Sequence, residues 1–507
     1  MLYRRIAMFL GAVLFANILV SCATEKEEPP VVETGYYIGD AFAEPPVFKD
    51  KDFEGDDFTF LIYNRNVVPY TDKYVNCADS AGEIISDSVM RRNDETSRKY
   101  NVNIKFDEVY SPKYEAGSRI HAGQTDFDVI YESGVGLSSL ALEGSLYNFN
   151  DVPNIDLERD YWVPSAKNDL NINGKTYIAT NYITMNSLEW AGMIYFNNSI
   201  YKDLGYEDSM YDLVTSGTWT IDKYVEIALS AVNDINGDAT MTASDRYGIW
   251  GSYSDFFESL ARSSGIRNTV KNDDGSYSIG VYNQRLISIY TSFHEKLDNN
   301  DVYITYEDIW REGPNLTDYT TRAEGARFLG FGQSHVLFMP GTLSLSMEFK
   351  DMKDEFGILP NPRYNTAQKE FYHFTDCDSP MFALPAGDDD KSNAGTILEY
   401  MAYLSAQTVL PEYEKNVTEA CSASDSMDGL MFDIIKNSIR YEWTEMYELE
   451  VTNSLVRKMM STGNFNSVFN KLQSKAKQEI DGIVDTFAFI GLKDAESFAT
   501  TSPYITE

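Results

Sequence analysis

Apolar positions along the chain fall into short runs separated by polar, periodic stretches. Phe58-Thr59-Phe60-Leu61-Ile62-Tyr63 is closed by Asn64-Arg65-Asn66, which predicts a strand and its stop. From Glu83 to Tyr100, Ile85, Val89, Thr96 and Tyr100 return near one face, the spacing of a helix. Val102-Asn103-Ile104-Lys105-Phe106 alternates as a half-buried strand does, and after a short polar helical region Phe127-Asp128-Val129-Ile130-Tyr131 predicts another. Strands alternating with helices point to βαβ units and a parallel sheet. Ligands bind beyond the carboxyl ends of strands in such sheets. That rule places Asn64 and Arg65, and Tyr131, Glu132 and Ser133 with Gly134, at the rim of a cleft.

A middle region opens with Gly174-Lys175-Thr176-Tyr177-Ile178-Ala179 and Gly192-Met193-Ile194-Tyr195-Phe196-Asn197. A helix then starts near Trp219, with Ile221, Tyr224, Val225, Ala228 and Val232 on the face that meets a core. The last helical stretch sets Phe469, Leu472, Ala476, Ile480, Ile483 and Phe487 on one side. No repeat of fixed period is present.

The amino terminus follows a different pattern. Arg4 and Arg5 precede an apolar run from Ile6 to Val20, too short for a transmembrane helix of roughly 20 apolar residues and built like a secretory signal. Leu19-Val20-Ser21-Cys22 resembles the bacterial lipobox, in which the cysteine is lipidated and becomes the mature amino terminus. Residues 1–21 are then the signal peptide. Residues 22–53 form an acidic, disordered linker with Pro29-Pro30 and Pro45-Pro46. The expected location is extracytoplasmic, with a lipid anchor on Cys22 holding the protein to the cell membrane.

Composition narrows the class. At 507 residues the chain exceeds one compact core, so two or more lobes are expected. The net charge of −36 excludes the basic footprint that nucleic acid requires and argues against electrostatic adhesion to anionic lipid. Tyrosine outnumbers phenylalanine, 35 to 28, and its flat face with a polar tip suits carbohydrate or peptide surfaces. With Cys22 given to lipid, Cys77, Cys377 and Cys421 allow at most one disulfide, and their spacing matches neither a metal ribbon nor a redox pair.

The order of the motifs resembles that of family 1 extracellular solute-binding proteins of ABC importers, the maltose-binding-protein-like lipoproteins. The passages that carry the likeness are Phe58 to Tyr63, Phe127 to Ile130, Asn173 to Tyr177 followed by Met193 to Asn197, Gly217-Thr218-Trp219-Thr220, and Phe331 to Met339. The resemblance implies an α/β, two-lobe periplasmic-binding-protein-like type II fold, each lobe a mixed sheet flanked by helices and joined by a hinge. The expected division is lobe 1 over 54–183, lobe 2 over 184–375, a return to lobe 1 over 376–410, and carboxyl-terminal helices over 411–507 packing across both. Crossings are expected near Thr180 to Asn186 and Tyr372 to Pro380. The implied function is a monomeric receptor that captures a sugar, an oligosaccharide above all, and delivers it to ABC permease membrane subunits without an enzymatic step.

Sugar recognition combines aromatic platforms with polar groups that fix hydroxyls. Trp190 near the first crossing, Trp250 in Gly248-Ile249-Trp250-Gly251 and Trp310 in a polar stretch are the candidate platforms, against the general tendency of large aromatics to be core. Thr342, in Pro340-Gly341-Thr342 after an apolar strand, resembles the family's cleft loop. Trp162 and Trp219 look structural. The acidity favours an uncharged ligand, which a basic pocket at Arg65 would reverse.

Asp234, Asn236, Asp238, Thr242 and Asp245 stand at positions 1, 3, 5, 9 and 12 of a calcium-type loop, so a structural Ca2+ is expected there, with a solvated turn as the alternative. Two departures count against calcium: position 6 is Ala239 instead of glycine, and position 12 is Asp245 instead of glutamate.

No required cofactor is expected. Gly174-Lys175-Thr176 lacks the first glycine of a phosphate loop, Asp169 standing in its place. Neither Gly134-Val135-Gly136 nor Gly330-Phe331-Gly332 has the third glycine of a dinucleotide loop, and no Gly-x-Ser-x-Gly elbow exists. His121, His294, His335 and His373 are scattered. Paired carboxylates remain open among 78 acids, so a surface lipoprotein glycoside hydrolase, or a glycan-binding lipoprotein without a transporter, stays as the alternative.

Overall fold

The computed structural model describes residues 46–64, 73–76, 84–251, 253–298, 300–312, 322–387, 390–421 and 427–490. Cys22, Arg65 and Cys77 lie outside them. Among the described residues thirteen strands follow in chain order: β1 Asp57–Tyr63, β2 Asn103–Val109, β3 Val129–Ser133, β4 Gly192–Asn197, β5 Tyr247–Trp250, β6 Thr269–Lys271, β7 Tyr277–Ile279, β8 Tyr303–Ile304, β9 Val336–Thr342, β10 Phe356–Leu359, β11 His373–Phe374, β12 Pro380–Ala383 and β13 Ile439–Arg440. The helices used below are α1 Ile84–Tyr100, α2 Pro112–His121, α3 Gly134–Leu142 and α4 Ser392–Ala420.

Two mixed sheets carry the architecture. The first has the order β12-β3-β1-β2 and the second β10-β4-β9-β5-β8. β1, β2 and β3 are parallel, and β12 joins antiparallel to β3. In the second sheet β4 is antiparallel to both β9 and β10, while β5 runs parallel to β9 and β8. The βαβ expectation holds for the first sheet, and the helical flanks expected for a two-lobe fold are present. Among the described residues no helix is long and apolar enough to cross a membrane.

Several boundaries differ from the sequence reading for local reasons. β3 starts at Val129, not Phe127, because the backbone of Asp128 donates to Thr59 O (2.8 Å) while its carboxylate accepts from Thr59 N–H (2.8 Å). It then runs on to Ser133, which puts Tyr131 inside the strand. The helix expected near Trp219 begins at Ile221, with the Thr220 hydroxyl as its cap. α4 runs 29 residues and continues through Pro411, touching α1, the turn Leu343–Glu348 and the helix Met427–Asn437. The division expected at 410/411 therefore falls inside a single helix.

The chain crosses between sheets twice, and the crossings lie side by side. Ala179 bridges Phe382, Ala191 bridges Thr375, and the Asp376 N–H donates to Trp190 O at 3.3 Å. Both bridges are antiparallel, so segments 179–191 and 375–382 run alongside each other in opposite directions as a paired crossing, called the ribbon below, with the short helix Asn186–Glu189 inside the first segment.

One buried titratable side chain holds the first crossing, and another lies just before the second. Arg92 on α1 is 1% exposed, and its guanidinium donates to Ile183 O (2.9 Å), Tyr74 O (2.9 Å) and the Ser405 hydroxyl (3.1 Å). His373, fully buried, accepts the Asn361 N–H at Nε2 (2.9 Å), so its proton sits on Nδ1 facing the Ser438 hydroxyl at 2.7 Å. Burial, with a smaller contribution from Arg440, lowers its pKa to about 3.

Two outcomes are expected. Replacing Arg92 with Met leaves the carbonyls of Ile183 and Tyr74 buried without donors and lowers unfolding free energy by about 3 kcal/mol, read by urea denaturation. Because His373 is neutral when folded, the unfolded chain takes up a proton below pH 6.5 that the folded chain refuses until about pH 3. Stability is therefore full above pH 6.5 and falls with acidification by about 1.4 kcal/mol per pH unit from this group, a slope that His373→Gln removes.

Candidate functional site

The pairing registers bring one end of each sheet to the ribbon. In the first sheet the carboxyl ends of β1, β2 and β3 meet the start of β12, since Tyr63 pairs Val109 and Ser133 pairs Pro380. In the second sheet Thr342 pairs Gly192, Leu359 pairs Ile194 and Ile304 pairs Trp250. The ends of β5, β8, β9 and β10 thus share a rim with the start of β4, the residue that leaves the ribbon. Both rims adjoin the same crossings.

On the first rim the Asn64 N–H donates to Val109 O (2.7 Å), fixing Asn64 just past β1. Tyr131 is fully buried, and its hydroxyl meets Thr184 Oγ1 (3.0 Å) and Asn186 Nδ2 in the crossing. It therefore ties the strand to the hinge from below the rim. Glu132 is 2% exposed, its carboxylate accepting the N–H groups of Lys113 (2.9 Å) and Ser133 (2.8 Å). Burial raises its pKa against those two donors, and Asp378 adds to the rise. A methyl at Gly136 would come within 2.6 Å of the Glu132 side chain, so this glycine is what lets the carboxylate tuck under α3. Ser133 caps α3, accepting the Gly136 N–H at 3.0 Å.

The crossing itself is anchored through Glu189, whose carboxylate accepts from Lys73 Nζ (2.7 Å) and the Tyr74 hydroxyl (2.5 Å). Trp190 follows it, half-buried, between the short helix Asn186–Glu189 and β4. On the second rim Trp250 is half-buried against Gly330, where a Cβ would lie 2.6 Å from its ring. The Thr342 hydroxyl pairs with that of Ser344 (2.8 Å), and its carbonyl accepts from the Tyr195 hydroxyl (2.8 Å). Trp310 lies on the helix Tyr306–Glu312, which starts two residues after β8. The registers thus set Asn64 and Ser133 on one rim, Trp250 and Thr342 on the other, and Trp190 at the ribbon between them. Tyr131 and Glu132 stand beneath the first rim as supports.

Sequence reasoning missed Tyr110 and Tyr114. They are 78% and 74% exposed, at the end of β2 and in the first turn of α2. Tyr110-Ser111-Pro112 was a readable signal, because proline opens a helix directly after a strand. Trp162 and Trp219, by contrast, are 1% and 0% exposed and donate to Glu399 and Pro360 O.

The loop 234–245 is closed by its own donors. Asp234 accepts from Gly237 N–H (2.8 Å) and Ala239 N–H (2.7 Å), Asn236 from Asp238 N–H (2.8 Å), and Asp238 from Thr240 N–H (2.8 Å). Ala239 sits at φ +63°, the left-handed conformation that position 6 demands. Asp245 is fully buried and accepts from Ile235 N–H (2.9 Å) and from Thr242 N–H (2.8 Å) and hydroxyl (3.0 Å). Among the described residues no three carboxylate, imidazole or thiol groups converge as a metal site.

No protein-family model matches the chain, and no curated protein matches its sequence. Solved structures do match in shape. A periplasmic oligogalacturonide-binding protein from Yersinia enterocolitica superposes with a TM-score of 0.55 at 12% identity, over 84% of this chain and 100% of that one. The chain has the two-lobe fold of the solute-binding proteins. A cyclo/maltodextrin-binding protein complexed with maltotetraose gives 0.50 at 13% identity, over 87% of this chain and 99% of that one. A sugar transporter protein from Rhizobium etli, in an open conformation, gives 0.50 at 13%, over 85% and 99%.

Burial opposes the Asp245 charge, but the Thr242 and Ile235 donors outweigh it and hold its pKa below the ordinary 3.8. A depressed carboxylate stabilises above its unfolded pKa and loses that contribution as pH falls through the folded value. Asp245→Ala, measured in EDTA at pH 7, is expected to lower unfolding free energy by about 2 kcal/mol, and by less at pH 3.

Proposed function

We propose that the protein is a lipid-anchored, extracytoplasmic solute receptor that captures a sugar, an oligosaccharide, between its lobes and hands it to an ABC import permease. One observation carries the reading. The strand ends of both sheets share the side occupied by the crossing ribbon, so a ligand held there would touch both lobes and the hinge at once. Closure about such a ribbon is a hinge motion, and a ligand that contacts both rims favours the closed state by its extra contacts there. Proteins of the same fold that bind maltotetraose and oligogalacturonide support the sugar class. The residues at the rims also suit it: Trp190 and Trp250 offer half-exposed ring faces, while Asn64, Ser133 and Thr342 offer hydrogen-bonding groups that orient hydroxyls. The lipid anchor rests on Leu19-Val20-Ser21-Cys22.

The test is thermal unfolding of the chain against a panel of neutral and acidic oligosaccharides, with product analysis of each mixture. A sugar at 100 times its Kd adds about 2.7 kcal/mol to the folded state and raises the midpoint with concentration. A rise with one sugar class and no product supports the receptor, and small-angle scattering should then show compaction. Product formation points instead to a glycoside hydrolase, and binding without compaction to a glycan-adhesion protein.

A further inference from the structure

We infer that Tyr110 and Tyr114, with the Ser111 hydroxyl between them, form an outer subsite on the first lobe that stacks on the sugar rings of an uncharged glycan chain extending beyond the cleft. The inference rests on the receptor reading and adds to it a place and a length of ligand. Among the described residues these two are the tyrosines left mostly exposed, in a protein with 35 tyrosines. An exposed ring leaves an apolar face in water unless something covers it, and a pyranose ring is an apolar face edged with hydroxyls.

Their position fits a continuation of the cleft. Tyr110 directly follows β2, whose last residue Val109 accepts the Asn64 N–H at 2.7 Å. Tyr114 stands in the first turn of α2, and the N–H of its neighbour Lys113 donates to Glu132 (2.9 Å) at the end of β3. The pair therefore flanks the same rim that holds Asn64 and Ser133. Ser111 occupies the helix cap but makes no capping bond with its side chain, and Pro112 after it has no N–H to offer. An aromatic, a hydroxyl and a second aromatic follow one another on a turn that proline stiffens.

Charge selects among glycans. Glu108 and Glu115 lie on either side of the pair in sequence, bonded to Asn76 (3.1 Å) and Arg119 (2.8 Å). Lys113 is the cation within the pair, and its Nζ donates to Ser139 Oγ (2.9 Å) at 5.6 Å from the Tyr114 ring. With the whole chain at −36, a polyanionic chain would meet repulsion on approach.

The experiment measures calorimetric affinity of the chain for maltose, cellobiose, xylobiose and digalacturonate and for the corresponding tetrasaccharides. The variants are Tyr110→Ala, Tyr114→Ala, their double and Tyr110→Phe, each with its unfolding midpoint checked. The expected result is a neutral tetrasaccharide bound about tenfold more weakly by the double alanine variant, its disaccharide unchanged within twofold, and Tyr110→Phe close to wild type. Unchanged tetrasaccharide affinity in the double variant overturns the inference and leaves the receptor reading standing. So does an equal loss for disaccharide and tetrasaccharide, or a preference for tetragalacturonate. Failure of every sugar in the panel to bind the wild type overturns the receptor reading and the inference with it.

Discussion

A single buried guanidinium holds together the parts on which a hinge depends. Arg92 reaches Ile183 in the first crossing, Tyr74 in the segment after β1, and Ser405 near the middle of α4. An arginine in the interior is costly unless its donors are matched, and carbonyl and hydroxyl oxygens converge on it here. The crossing is thereby fixed to the first sheet at one end, while α4 carries the same anchorage toward the second sheet. Glu189 extends the arrangement by binding Lys73 and Tyr74 from the residue next to Trp190. Segment 73–76 and the ribbon are thus one mechanical unit.

This anchorage separates the rim side chains that the protein itself holds from those it does not. Glu132 and Tyr131 direct their polar atoms to helix starts and to the crossing, where they stiffen the first rim. Trp190 and Thr342 stand where the ribbon gives way to the second sheet, and Trp250 lies two strands further along the same rim. A wall fixed on one side and carried by a ribbon on the other is the mechanical requirement for closure.

The fold was largely legible because its strands and amphipathic helices follow simple periods. Phe58 to Tyr63, Gly192 to Asn197 and the face from Phe469 to Phe487 appear where the pattern sets them. The site was legible only as strand ends. Tyr131 was placed on the rim because an apolar run marks where a strand is, not the residue at which it stops. The stop at Ser133 depends on pairing with Pro380, almost 250 residues later, which local pattern does not encode. The crossings near Thr180 and Tyr372 were legible only through the family resemblance, because a change of sheet leaves no period of its own, and the first crossing is buried from Thr180 to Glu189.

Tyrosine content illustrates the limit of composition as evidence. An excess of tyrosine suggested sugar-binding surface, yet Tyr74, Tyr100, Tyr131, Tyr161, Tyr195, Tyr224 and Tyr441 are each at most 1% exposed. Burial raises the pKa of Tyr74, Tyr195 and Tyr224, so these phenols stay protonated and serve as core residues with one polar atom. The bias therefore reflects how the lobes are packed. What separates Tyr110 and Tyr114 from the others is the local turn: a strand that ends against a proline-opened helix pushes its flanking residues outward, and no count of tyrosines carries that information.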